Sequence, residues 1–137
     1  MKARTLVVQL DPMPSPRPRL GRGGAYMSNK YTEWKRDFKL LFGQHEVTAG
    51  LAITFYISIP QSASKKQRAL MHLQKHKKKP DIDNLIKSVL DAITDRDQEI
   101  SDIFAQKRWI DGPGKMVLVL SETLPMIDNQ QAEEYEK

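Results

Sequence analysis

Apolar residues recur at helical spacing between residues 82 and 93, where Ile82, Leu85, Ile86, Val89, Leu90 and Ile93 follow the i, i+3, i+4, i+7 rule of a helix with one buried face. Pro80 has no N–H and disfavours helical geometry in Lys79, so the chain is expected to enter extended and the helix to begin just past the proline, with Asp81 or Asp83 near its cap. A second stripe, Tyr31, Trp34, Phe38, Leu41 and Phe42, predicts a helix from Ser28 or Asn29 to about Phe42, ended by Gly43. Such a stripe of aromatics reads as core rather than as a stacking platform for bases. Strict alternation places Leu51, Ile53, Phe55, Ile57 and Ile59 on one face of a strand and Ala52, Thr54, Tyr56 and Ser58 on the other, with Pro60 as the stop.

Weaker patterns fill in the rest. Residues 5–10 and a segment within 100–110 are strand candidates, and Asp111, Gly112, Pro113 and Gly114 read as a turn leading into a last strand over 116–120, forming a hairpin. Ser62 or Ser64 can cap a short helix reaching about Gln74. Residues 11–29, rich in Pro, Gly and Arg, read as an irregular loop, 94–98 as a polar loop and 126–137 as a frayed tail. Together these elements predict one domain over residues 1–137, of the α+β type, with a mixed sheet of about four strands flanked by helices.

Composition narrows the class. The 137 residues can bury a real core, and the absence of cysteine removes disulfides and thiolate metal sites and suits a reducing, cytoplasmic setting. No apolar run approaches the roughly 20 residues of a membrane span. Residues 1–80 carry 16 Lys or Arg against 4 Asp or Glu, a net +12, whereas residues 81–137 carry 6 against 13, a net −7. A basic surface beside a local acidic cluster suits an enzyme that holds a polyanion while metal ions act on it.

The chemistry concentrates where the charge changes sign. Side chains two apart in an extended segment point the same way, so Asp81 and Asp83 can converge, and clustered carboxylates call for a hard divalent cation between them. Asp83, Lys87 and Asp91 follow one another at steps of four and form a polar ridge beside the apolar face. The competing account is that the two acids merely cap the helix and face its positive end. A calcium loop of the EF-hand kind is excluded, because Ile86 stands where its glycine belongs. The run Lys75, Lys77, Lys78 and Lys79 would bring phosphates to the acids, and Arg17, Arg19 and Arg22 form a second phosphate-binding group. Tyr26, in the same loop as these arginines, is a candidate for touching a base, while His45, His72 and His76 share no ligand spacing.

The stretch Lys79-Pro80-Asp81-Ile82-Asp83-Asn84-Leu85-Ile86-Lys87, followed by Leu90-Asp91-Ala92, resembles the RusA family of Holliday-junction resolvases, in particular members of phage and prophage origin. The Pro/Arg-rich segment with Tyr26, the Ser64-Lys65-Lys66 helix start and the lysine approach to Pro80 are similar as well. The resemblance implies a homodimer with a Mg²⁺ site, open to Mn²⁺ as a substitute and needing no small-molecule cofactor, that nicks opposing strands of a four-way DNA junction. It makes Asp81 and Asp83 metal ligands and Lys87 the essential lysine. A third aspartate follows the helix in the family. Counting forward from the helix gives Asp102, whereas counting back from Lys107 and Arg108 gives Asp97. Asp97 is preferred, because a loop shortens cheaply whereas a five-residue slip inside a strand disturbs pairing and facing. On that alignment the loop after Asp91 is short, and Arg96 stands where a neighbour is commonly acidic. The rival functions are a noncatalytic nucleic-acid-binding protein and a metal-dependent nuclease for flaps or single strands.

Overall fold

In the computed structural model, which describes residues 3–16, 19–21, 24–26, 29–93 and 97–124, the alternating stretch forms one of the two inner strands of the larger sheet. The elements run β1 (Arg4–Val8), β2 (Arg19–Gly21), β3 (Gly24–Tyr26), α1 (Asn29–Phe42), β4 (Gly50–Ser58), α2 (Lys65–Met71), α3 (Ile82–Ile93), a 3₁₀ turn (Asp97–Glu99), β5 (Asp102–Ile110) and β6 (Lys115–Ser121). Four strands make a mixed sheet in the order β1-β6-β4-β5, so the protein is α+β, with three α-helices among the described residues. β2 and β3 pair antiparallel as a separate ribbon, where an irregular loop was expected.

The expected hairpin of β5 and β6 does not form. β4 lies between them, parallel to β5 and antiparallel to β6. Both patterns are local and correctly placed, but the turn carries the chain across the end of β4 instead of folding it back on β5. The Ser58 hydroxyl donates to the Gly112 carbonyl at 2.8 Å, which ties the end of β4 to that turn. At Gly114 a Cβ would meet the end of the Asp11 side chain and come within 3.1 Å of the Tyr56 carbonyl, so the turn packs closely against the end of β4. The parallel β4–β5 pair in turn requires a long crossover, and α2 and α3 lie within it.

Core formation follows the parity of the strands. Leu51, Ile53 and Phe55 of β4, Met116, Leu118 and Leu120 of β6 and Val8 of β1 are buried in one cluster with Tyr31, Trp34, Phe38 and Phe42 of α1 and Leu85, Val89 and Ala92 of α3. Both helices therefore cover the same face of the sheet. The opposite row of β4, Ala52, Thr54 and Tyr56, is only half-buried. In α1 the aromatics form a continuous ladder, with ring centroids 6.3, 5.4 and 5.9 Å apart from Tyr31 through Trp34 and Phe38 to Phe42. Leu41, expected on that face, is exposed because the stripe runs through Phe42, about 100° away from it around the helix. Gly43, with φ +73°, closes α1 by donating its N–H to the Lys39 carbonyl.

α2 is shorter than its pattern suggested. Ser64 and Gln67 form a capping box, but the helix ends at Met71, and residues 73–76 turn away to pair with the free edge of β5. Leu73 donates to the Trp109 carbonyl, Trp109 to the Gln74 carbonyl and His76 to the Lys107 carbonyl. This edge pairing leads the lysine segment along β5 to Pro80. Among the described residues no helix is long and apolar enough to cross a membrane.

Candidate nuclease site

The start of α3 is set by its backbone. The Asp81 carbonyl accepts the Leu85 N–H at 3.2 Å, so Asp81 is the cap residue and only it belongs to the extended approach. Asp83 already lies in the first helical turn, rather than sharing the extended segment. On the buried side Ser88 donates to the Met13 and Leu85 carbonyls, and the Asn84 carbonyl accepts the Ser15 N–H. These bonds and the packing of Leu85 and Val89 hold the solvent side of the first turns in place.

Among the described residues, neither the Asp81 nor the Asp83 carboxylate accepts a hydrogen bond from a helix N–H, so neither side chain caps the helix. Lys79 Nζ lies 3.0 Å from the Asp81 carboxylate in a pair that is well exposed. Such a pair is worth about 0–1 kcal/mol and yields readily to a stronger cation. Asp83 is exposed, with Lys87 one turn further on the same side. Their Cβ atoms are about 5–6 Å apart by helix geometry. Lys87 has no ion-pair partner among the described residues. Asp91 has a different role, because Tyr31 donates to its Oδ2 at 3.0 Å. Burial and this bond push the Tyr31 phenol up to about 12, so it stays a donor and anchors α1 to α3. The ridge thus divides into Asp83 and Lys87, which are free, and Asp91, which is structural.

The approach to Pro80 is held from below by Lys107, which the sequence offered only as a landmark for alignment. Lys107 Nζ donates to the Lys78 carbonyl at 2.7 Å and to the Pro80 carbonyl at 2.8 Å, fixing the chain where it turns into α3. The Lys79–Pro80 bond is cis. Beneath the same arch the His76 ring lies 4.1 Å from that of Trp109, and its Nδ1 accepts the Lys78 N–H at 3.4 Å. Burial, then the charges of Lys107 and Lys78, hold the His76 imidazole below its usual pKa, so the ring is neutral. Lys77, Lys78 and Lys79 remain exposed above this support.

The remaining predicted residues are spread more widely. Arg17 and Arg22 lie outside the described residues; Arg19 begins β2 opposite Tyr26 in β3, and the side chains of both lie outside them too. Asp97 opens the 3₁₀ turn, with its side chain likewise outside the described set. Asp102 is the exposed first residue of β5, where its N–H donates to the Ala49 carbonyl. Strand rise sets it about 17 Å along β5 from Lys107. Among the described residues no group of three His, Asp or Glu gathers to hold a metal.

The start of α3 thus carries the exposed acids Asp81, paired with Lys79, and Asp83, in a chain segment that follows the exposed lysines 77–79. The family model Endodeoxyribonuclease RusA matches residues 9–119, and the chain belongs to that family of Holliday-junction-resolving endonucleases. No curated protein matches the chain.

Proposed function

We propose that the protein resolves four-way DNA junctions by Mg²⁺-dependent hydrolysis of phosphodiester bonds, as a homodimer serving DNA recombination and repair. The observation that carries this reading is the start of α3, where Asp81 and Asp83 expose carboxylates that do not cap their helix and Lys87 lies one turn beyond. Hard oxygen donors of this kind fit Mg²⁺, with Asp97 taken as the third ligand on the alignment counted back from Lys107 and Arg108. A cation held there supplies charge to the scissile phosphate and lowers the pKa of a water.

The residues of the chain do the rest. Lys87 faces the same side of α3 as Asp83, where its ammonium can offset charge building on a phosphate oxygen or on the leaving group. Lys77, Lys78 and Lys79, carried by the segment that Lys107 clamps, hold the flanking phosphates, and the arginines at 17, 19 and 22 extend the contact. Two copies related by a two-fold axis match the symmetry of a junction that must be cut on opposing strands.

The test is incubation with a labelled four-way junction and a matched duplex, in Mg²⁺ or in EDTA. Paired nicks in the junction alone, abolished by EDTA and by Asp81→Asn while binding persists, are the expected result. Tight junction binding without cleavage in Mg²⁺ or Mn²⁺ would return the protein to the noncatalytic class.

A further inference from the structure

Beside the lysine arch lies a cleft of about 370 Å³, lined by residues 75–77, Ile82 and the edge of β5. Lys75, Lys77, Lys107 and Arg108 line it together with Phe104 and Gln106, and no carboxylate does. The two ion pairs among the described residues, Arg68 with Asp111 and Lys79 with Asp81, involve none of these four cations. Lys107 is bound to carbonyls, which leave its charge in place. Four uncompensated cations repel one another unless an anion lies among them.

Arg108 differs from the surface lysines in being built in. Thr54 and Gln106 are cross-strand partners in the β4–β5 register, and the Gln106 Nε2 donates to the Thr54 hydroxyl at 3.0 Å. That bond turns the Gln106 Oε1 along the strand, where it accepts from Arg108 Nε at 3.3 Å and Nη2 at 3.0 Å. Both contacts lie on one side of the guanidinium, and among the described residues no hydrogen bond takes up Nη1. A planar, permanently charged fork held in this way is suited to a phosphate oxygen pair. Phe104, half-exposed beside it, offers an apolar wall for the attached sugar or base.

The geometry points to Arg108, oriented by Gln106 and Thr54, as a phosphate clamp that grips a DNA strand in the cleft at the β5 edge, whose lining includes Ile82, the residue between Asp81 and Asp83. This rests on the junction-nuclease reading above. The clamp fixes where the strand lies relative to the acids but does not touch the reacting phosphate, so Arg108 is a positioning residue. It reads backbone, not sequence, and its contribution is the same for any base.

The experiment is junction binding in EDTA, followed by fluorescence anisotropy across a KCl series, for the full chain and three variants. Arg108→Ala is expected to weaken binding about tenfold and to reduce the slope of log K against log salt by about 0.9, the value of one lost phosphate contact. Arg108→Lys should keep the slope while losing part of the affinity. Gln106→Leu, which retains every charge, should also keep the slope and weaken binding, because the guanidinium is no longer held. Thermal melting checks that each variant is folded. An unchanged slope in a folded Arg108→Ala protein, with the unaltered chain binding tightly, overturns the clamp and leaves the nuclease reading standing. Failure of the unaltered chain to bind the junction overturns both.

Discussion

α2 and α3 begin within 20 residues of each other in the same crossover, and they use their polar residues in opposite ways. At the start of α2, Ser64 and Gln67 satisfy each other's backbone groups, so the polar atoms are consumed by the helix itself. None of its residues is buried, and it is tied down from outside by Arg68, which reaches Asp111 and the Pro60 carbonyl. α3 buries Leu85, Ser88, Val89 and Ala92, and its stability comes from packing. The carboxylates of its cap residue, Asp81, and of its first-turn acid, Asp83, are therefore not needed for capping. A helix held by its core can leave its N-terminal carboxylates free for chemistry, whereas a helix held by its cap cannot.

The sharpest way to break this comparison is Asp81→Asn. Cleavage of a labelled junction should fall by about 10²–10³-fold or more in single turnover, by analogy with loss of one electrostatic group from an active site, while the melting temperature is unchanged. Asn caps a helix as well as Asp does, so the capping account is tested by Asp81→Ala, whose stability should change little; a drop of about 1 kcal/mol, matching that of a lost cap, would return Asp81 to a structural role. Next in size, Leu85→Ala should cost about 2–5 kcal/mol in chemical denaturation, because it opens a cavity under the site. The comparable truncation on α2, Leu70→Ala, should stay within about 0.5 kcal/mol, since Leu70 is mostly exposed. Ser64→Ala should cost about 1 kcal/mol and leave the cleavage rate of the folded protein untouched.

The smallest effect belongs to the connector between the two helices. The folded pKa of His76 lies below its usual 6.5, so between that lowered value and 6.5 the unfolded chain takes up a proton that the folded protein refuses. Stability contributed by neutral His76 is complete above about pH 6.5 and falls as the solution is acidified, levelling out below the folded pKa. His76→Phe keeps an aromatic ring beside Trp109 and removes the titration. Its melting temperature should fall less between about pH 8 and pH 5 than that of the unaltered protein. A parallel decline in both would place the sensitivity elsewhere.

Patterns with a local physical cause were legible in the sequence. The 3.6-residue spacing placed α1 and α3, alternation placed β4, Pro80 and Pro60 set two boundaries, and Ser64 capped α2. The family motif was legible too, because its acids and lysine lie within seven residues of one another. Spacing alone could not say whether Asp81 and Asp83 cap α3 or stay free, since both uses require an acid at the same positions. That depended on Lys79, on the packing of the buried face and on the clamp from Lys107, which is 20 or more residues away in sequence.

The sequence by itself determined where most helices and strands lie, which of their faces are apolar and which short stretch carries the acids, because those properties arise from neighbours within one or two turns of chain. Only the tertiary structure decided that β5 runs parallel to β4 instead of pairing with β6, that Tyr31 takes up Asp91, and that Thr54 and Gln106 hold Arg108 at the wall of a cleft. Each of these joins residues some 50 or more positions apart, through a register fixed by how whole faces pack, and no local period encodes such a register.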